Sequence, residues 1–192
     1  MSKHTRSGKA VFFDRDGTLN VDPGYISDPA NLELYPGVGN ELKRLKEAGY
    51  TLIVLTNQSG VARGLVRPEA LEKIHQRMNE LLGESGVRID EFLVCMHHPA
   101  AGCDCRKPGT ALIRLAEEKY GLDLTESIIV GDRETDLQAG VTAGLGKVIL
   151  VRTGHGGKTE THLRECALDR AVHFVADDLS EVVDWILDRA RG

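Results

Sequence analysis

No apolar run in this 192-residue chain exceeds five residues, Phe92 to Met96, far short of the ~20 that a membrane-spanning helix needs. The polar opening Met1-Ser2-Lys3-His4-Thr5-Arg6 offers no apolar signal core, so a cytoplasmic location is expected. Excess positive charge is missing as well. With 24 Lys and Arg against 29 Asp and Glu, the net charge of −5 argues against broad affinity for phosphodiester backbones. Any phosphate handled here must be gripped locally. Aromatic residues make up only 5%, which disfavours a nucleic-acid-binding surface. Four cysteines are too few for a secreted disulfide scaffold. Internal repeats, low-complexity tracts and linkers are absent, and the length suits one domain. Residues 1–9 read as a flexible tail and residues 10–192 as a single domain.

What is present is a series of short apolar stretches rich in β-branched and aromatic residues. They are Ala10 to Phe13, Leu52 to Leu55, Phe92 to Val94, Ile128 to Val130, Val148 to Val151 and, weakly, His173 to Val175. Apolar runs without alternation suit a sheet covered on both faces. Between them, single helical faces are painted by Val38, Leu42, Leu45 and Ala48, by Leu71, Ile74, Met78 and Leu81, by Leu112, Leu115, Ala116 and Tyr120, and by Val182, Val183, Ile186 and Leu187. Gly49, Gly121 and Gly144 stand where helix ends want a positive φ. The alternation predicts an α/β fold: a doubly wound, mainly parallel, Rossmann-like sheet flanked by helices, with ligands beyond the carboxyl ends of the strands. Residues 154–171 are the least legible stretch.

The strand ends carry the chemistry. After the first comes Asp14-Arg15-Asp16-Gly17-Thr18-Leu19, where extended backbone can present two carboxylates to one ligand; a simple turn or calcium-loop fragment is the alternative. After the second, Thr56 to Gly64 offers hydroxyls, amides and Arg63, either to phosphate oxygens or as a solvated loop. After the fourth, Gly131-Asp132-Arg133-Glu134-Thr135-Asp136 brings acids that can converge with the first pair on one hard cation, for which magnesium, with its few carboxylates plus phosphate and water, is suited. The third strand leads into Cys95-Met96-His97-His98-Pro99 and Cys103-Asp104-Cys105-Arg106-Lys107. Cys95, His97, Cys103 and Cys105 form a tetrahedral zinc set with no open position, hence a structural zinc loop at 95–105. His98 is the alternative ligand, but strand alternation puts His97 in phase with Cys95. The loop delivers Arg106 and Lys107 at its exit. Gly156-Gly157-Lys158-Thr159 mimics the end of a nucleotide-binding loop, yet the required first glycine is replaced by Arg152, so a substrate-facing loop or plain connection is expected.

Asp14-x-Asp16, Thr56, Lys107 and Gly131-Asp132 with Asp136 resemble, in order, the four motifs of the haloacid dehalogenase superfamily of phosphotransferases over residues 10 to 153. Within it, the zinc loop and Asn57-Gln58-Ser59-Gly60-Val61-Ala62-Arg63-Gly64 are similar to the family that removes the C7 phosphate of heptose 1,7-bisphosphate in lipopolysaccharide precursor supply. Histidinol-phosphate phosphatases share the zinc loop and Cys105-Arg106-Lys107-Pro108 but usually lack the Ser-Gly-x-Ala-Arg-Gly segment. A zinc-stabilised non-catalytic binding module is the rival of another class. The resemblance implies that Asp14 is the nucleophile and Asp16 the general acid and base. It implies magnesium on Asp14, Asp132 and the Asp16 carbonyl, phosphate on Thr56, Asn57 and Lys107, and Asp136 behind Lys107 or the metal. Ser59, Arg63 and Arg106 are candidates for the far end of the substrate. The partner implied is a small sugar bisphosphate, with no nucleic acid and no membrane. No large cap domain separates the motifs, and a monomer is expected.

Overall fold

The computed structural model describes residues 8–163 and 167–189. Strands β1 (Lys9–Phe13), β2 (Tyr50–Asn57), β3 (Glu91–Cys95), β4 (Ile128–Gly131), β5 (Lys147–Val151) and β6 (Phe174–Ala176) alternate with helices. The helices are α1 (Val38–Glu47), α2 (Pro68–Gly83), α3 (Ala111–Tyr120), α4 (Glu134–Ala143), α5 (Gly156–Leu163) and α6 (Leu179–Arg189). Every strand pair is parallel, in the order β3-β2-β1-β4-β5-β6. This is the doubly wound sheet that the alternation predicts.

Strand parity divides the core into two layers. Val11, Phe13, Leu52, Val54 and Val130 pack against α1, α2 and α6. Ala10, Phe12, Ile53, Leu55, Ile129 and Leu150 pack against α3, α4 and α5. With both faces covered, neither set can be polar, which is why the strands read as unbroken apolar runs. The strand order reverses between β1 and β4, and the chain leaves both at the same edge of the sheet. A crevice therefore opens there.

Details depart from the sequence reading for local reasons. β1 starts at Lys9, inside the segment read as a tail. The Gly8 carbonyl accepts the Asp123 amide at 2.7 Å, and the Lys9 ammonium stacks 4.1 Å from the Tyr50 ring centre. Residues 1–7 and Cys166 lie outside the described residues. In α3 the buried residues are Ile113 and Ala116, while Leu115, expected inside, is half exposed. α4 has no apolar stripe to find: it packs through Leu137, Ala139, Gly140 and Ala143, and a Cβ on Gly140 would collide with Ile129. Instead of an irregular connection, residues 156–163 form α5, which composition hides behind two glycines and two threonines. Gly49, Gly121 and Gly144 have the expected positive φ of 85°, 60° and 76°. Among the described residues no large cap domain interrupts the fold, and no helix is long and apolar enough to cross a membrane.

Candidate active site

The segments following β1 to β5 enclose a cleft of about 740 Å³ whose floor is made by Asp14, Thr56, Lys107 and Asp136. Asp14 leaves the end of β1, with its amide donating to Val130 of β4 at 3.0 Å, so its carboxylate begins at the point where the strand order reverses. Lys107 Nζ donates to Asp14 Oδ1 at 2.7 Å and to the Leu55 carbonyl at 2.5 Å, and lies 2.6 Å from Asp136 Oδ1. Its side chain is 2% exposed. Reciprocal bonds between Asn57 and the Lys107 main chain, at 3.1 and 3.2 Å, tie the loop after β3 to the end of β2 and fix where that ammonium emerges.

Asp132 is completely buried after β4. Its Oδ2 accepts the His155 amide at 2.7 Å, while Oδ1 has no hydrogen-bond partner among the described residues. Gly17 and Gly154, both at positive φ, close against this carboxylate so tightly that a Cβ on either would collide with it. Oxygens of Asp14, Asp132 and Asp136 lie within 4.8 Å of one another. Burial pushes the Asp14 pKa up to about 7; Lys107 opposes the rise, and Asp136 and Asp132 add to it. Burial also lifts Asp132 to about 6, against the pull of the His155 amide. For Lys107 burial disfavours the charge, yet Asp136 and Asp14 together hold its pKa above the ordinary lysine value. Crowded anionic oxygens of this kind, one of them unpartnered and buried, fit a hard divalent cation.

Asp16, partly exposed to the cleft, is held by several donors. Arg15 Nε and Nη2 reach Oδ1 at 3.0 and 2.9 Å, Arg15 Nη2 reaches Oδ2 at 2.8 Å, Asn20 Nδ2 reaches Oδ1 at 3.0 Å, and Gln58 Nε2 reaches Oδ2 at 2.7 Å. Gln58 also donates to Thr56 Oγ1 at 2.8 Å. The sequence offers Gln58 as one of the amide donors to phosphate oxygens and not as a partner of Asp16, although its i+2 spacing from Thr56 at a strand end is a usable signal. Asn20 had no such signal, because it returns through the tight turn after Gly17.

Of the residues expected at the far end of the substrate, Ser59 and Arg106 line the cleft, and Arg106 Nη1 is buried without a partner among the described residues. Arg63 does not. Bonds from Arg63 N to Ser59 O (3.1 Å) and from Leu65 N to Gly60 O (2.8 Å) close a turn that carries it outward, where it is exposed. The rim instead holds Arg133 and His155, which meet Asp22 at 3.0 and 3.5 Å, together with Lys158.

Beside the cleft, Cys95, His97, Cys103 and Cys105 gather their ligand atoms within 4.8 Å. The sulfur separations are 3.2 to 3.7 Å. A tetrahedral zinc with Zn–S bonds of ~2.3 Å needs sulfurs about 3.7 Å apart; the Cys95–Cys103 pair stands at that separation, the two pairs with Cys105 are closer, and the set of three thiols and an imidazole suits such a metal. His98 is engaged elsewhere, its ring accepting the Ala100 amide at 3.2 Å.

Such a parallel sheet, with acids after β1 and β4 and a lysine between them, is the layout of a haloacid-dehalogenase-type phosphohydrolase. A family model described as HAD-hyrolase-like matches residues 104–182. The chain is 38% identical over 180 residues to D-glycero-beta-D-manno-heptose-1,7-bisphosphate 7-phosphatase of Yersinia pestis, covering 90% of this chain and 94% of that protein. The Escherichia coli K12 enzyme of the same name is 38% identical over 179 residues, with 90% and 92% covered. The crystal structure of D,D-heptose 1,7-bisphosphate phosphatase from B. bronchiseptica complexed with magnesium and phosphate superimposes with a TM-score of 0.86 at 36% identity, covering 94% of this chain and 99% of that one. The Burkholderia thailandensis counterpart gives 0.70 at 32%, with 96% and 99% covered. The chain belongs to this family of phosphatases within the haloacid dehalogenase superfamily, and it is a phosphoric monoester hydrolase.

Proposed function

We propose that the protein removes the C7 phosphate of D-glycero-β-D-manno-heptose 1,7-bisphosphate in a magnesium-dependent reaction. The observation that carries this reading is the buried Asp14–Lys107–Asp136 cluster beside the half-unpartnered Asp132, in a chain so similar to enzymes named for that substrate.

Asp14 attacks phosphorus, and the bond from phosphorus to the C7 oxygen breaks as the aspartyl-phosphate forms. Asp16 gives its proton to the departing alkoxide. It then takes a proton from the water that attacks the aspartyl-phosphate, which frees inorganic phosphate and restores Asp14. Thr56, the Asn57 amide and Lys107 hold the phosphoryl oxygens over which charge spreads in the transition state, and Asp136 anchors Lys107. The Asp14 and Asp132 carboxylates with the Asp16 carbonyl would hold magnesium, whose charge offsets repulsion between the phosphate and the nucleophile. Zinc on Cys95, His97, Cys103 and Cys105 would fix the loop that ends in Arg106 and Lys107. Ser59 and Arg106 take the remote end of the sugar bisphosphate. The test is kcat/KM for the β-heptose bisphosphate against histidinol phosphate, with and without magnesium. A strong preference for the heptose is expected; preference for histidinol phosphate would overturn the substrate.

A further inference from the structure

Arg15 sits between the two aspartates of the first motif, and its side chain is 1% exposed. Burying a guanidinium is costly unless its donors are matched. Here the Nε and Nη2 edge forks onto Asp16 at 2.8 to 3.0 Å. On its other side, Nη1 lies 3.3 Å from Nε2 of His75, on α2. An arginine can only donate, so the His75 nitrogen facing it is the acceptor. That ring stacks on Phe92 of β3, with centres 4.3 Å apart and planes 10° from parallel. Burial and the nearby Arg15 hold His75 neutral, its pKa pushed down to about 3. A continuous line of contacts, Phe92 to His75 to Arg15 to Asp16, thus runs from the sheet through α2 into the cleft. Neither His75 nor Phe92 lines that cleft.

We propose that Arg15 and His75 are positioning residues for proton transfer. The fork fixes the plane of the Asp16 carboxylate, and His75 fixes the fork. The proposal rests on the reading of Asp16 as the general acid. A planar fork sets orientation as well as charge, which a solvated carboxylate at a cleft wall would lack. Asn20 and Gln58 complete the hold on Asp16, but each supplies one donor to it and neither imposes a plane.

Departure of an alkoxide needs a proton; departure of 4-nitrophenolate does not. In kcat/KM, which ends with release of the alcohol and so leaves out the later attack of water that Asp16 also assists, an ill-aimed Asp16 therefore slows the first kind of substrate selectively, whereas a merely structural defect slows both. The experiment compares kcat/KM of the full-length magnesium-loaded enzyme for heptose 1,7-bisphosphate and for 4-nitrophenyl phosphate, with a thermal melt of each variant. His75→Leu is expected to lose about tenfold on the sugar substrate and less than about twofold on the aryl ester, as for a lost bond to a charged group felt mainly in the transition state. His75→Gln, whose amide oxygen can accept from the same N–H, is expected to stay near wild type. Arg15→Lys, which keeps the charge but loses the fork, is expected to repeat the selective loss and decides the matter if His75→Leu does not fold. Equal losses on both substrates, or Gln behaving as Leu does, would overturn the positioning role. Asp16→Asn separates the two layers. If it is selective and His75→Leu is not, positioning fails alone. If Asp16→Asn is itself unselective, the acid role falls and the proposal with it.

Discussion

Lys107 faces more negative charge than one ammonium can balance. Asp14 and Asp136 both touch it, and Asp132 completes a trio of carboxylates whose oxygens lie within 4.8 Å. The strand-end positions of these acids are legible in the sequence because apolar runs fix where strands stop. The direction of a side chain beyond a turn is not, which is why the sequence points Arg63 to the cleft and the structure turns it outward. Two predictions belong here. Asp14→Asn should keep the circular-dichroism spectrum of the wild type and lose at least roughly 10³-fold in phosphate release, since the amide preserves size but not nucleophilic charge. Near-normal turnover by the folded variant would end the aspartyl-phosphate reading. Arg106→Ala should lower kcat/KM for the bisphosphate by about tenfold or more while sparing a generic monophosphate, and Arg63→Ala should change neither, because of these two arginines Arg106 lines the cleft and Arg63 does not. The reverse ranking in steady-state assays would reassign the far phosphate.

At the scale of elements, the strands and the helices with apolar stripes could be read from periodicity, and so could the spacing of the cysteine-histidine loop. α4 and α5 could not. Both are set by close backbone approach and by bonds to the site, such as Thr159 Oγ1 to the Asp132 carbonyl at 2.8 Å, rather than by burying a stripe. Zinc on the loop after β3 would connect metal binding to the proposed chemistry, because Cys105 and Lys107 are two residues apart and Lys107 is pinned to Asn57. Purified without added metal, the protein should carry about one zinc per chain by elemental analysis. Cys105→Ser should lower the melting temperature by about 5 °C or more and reduce activity through a loosened Lys107. Added magnesium should not restore it. Full activity in a zinc-free preparation would contradict this coupling.

For the molecule as a whole, stability and function meet at the reversal of strand order, where the fold buries the charges that the proposed reaction would use. Asp14 and Asp132 have folded pKa values of about 7 and 6 against an unfolded 3.8, so the folded chain binds more protons across that window. Without metal their contribution is fully present below the unfolded value and is lost as pH rises through the folded ones. Magnesium competes with those protons. The rise in melting temperature on adding magnesium should therefore be small near about pH 5 and larger near about pH 8, and Asp132→Asn should abolish most of it. A shift independent of pH would place the metal elsewhere. The most direct test of the central claim is phosphorus NMR of β-heptose 1,7-bisphosphate during turnover. With magnesium, the C7 phosphate signal should vanish, one inorganic phosphate should appear per substrate, and the C1 phosphate signal should persist. Loss of the C1 phosphate instead, or an unchanged bisphosphate in the presence of folded, metal-loaded enzyme, would contradict the account.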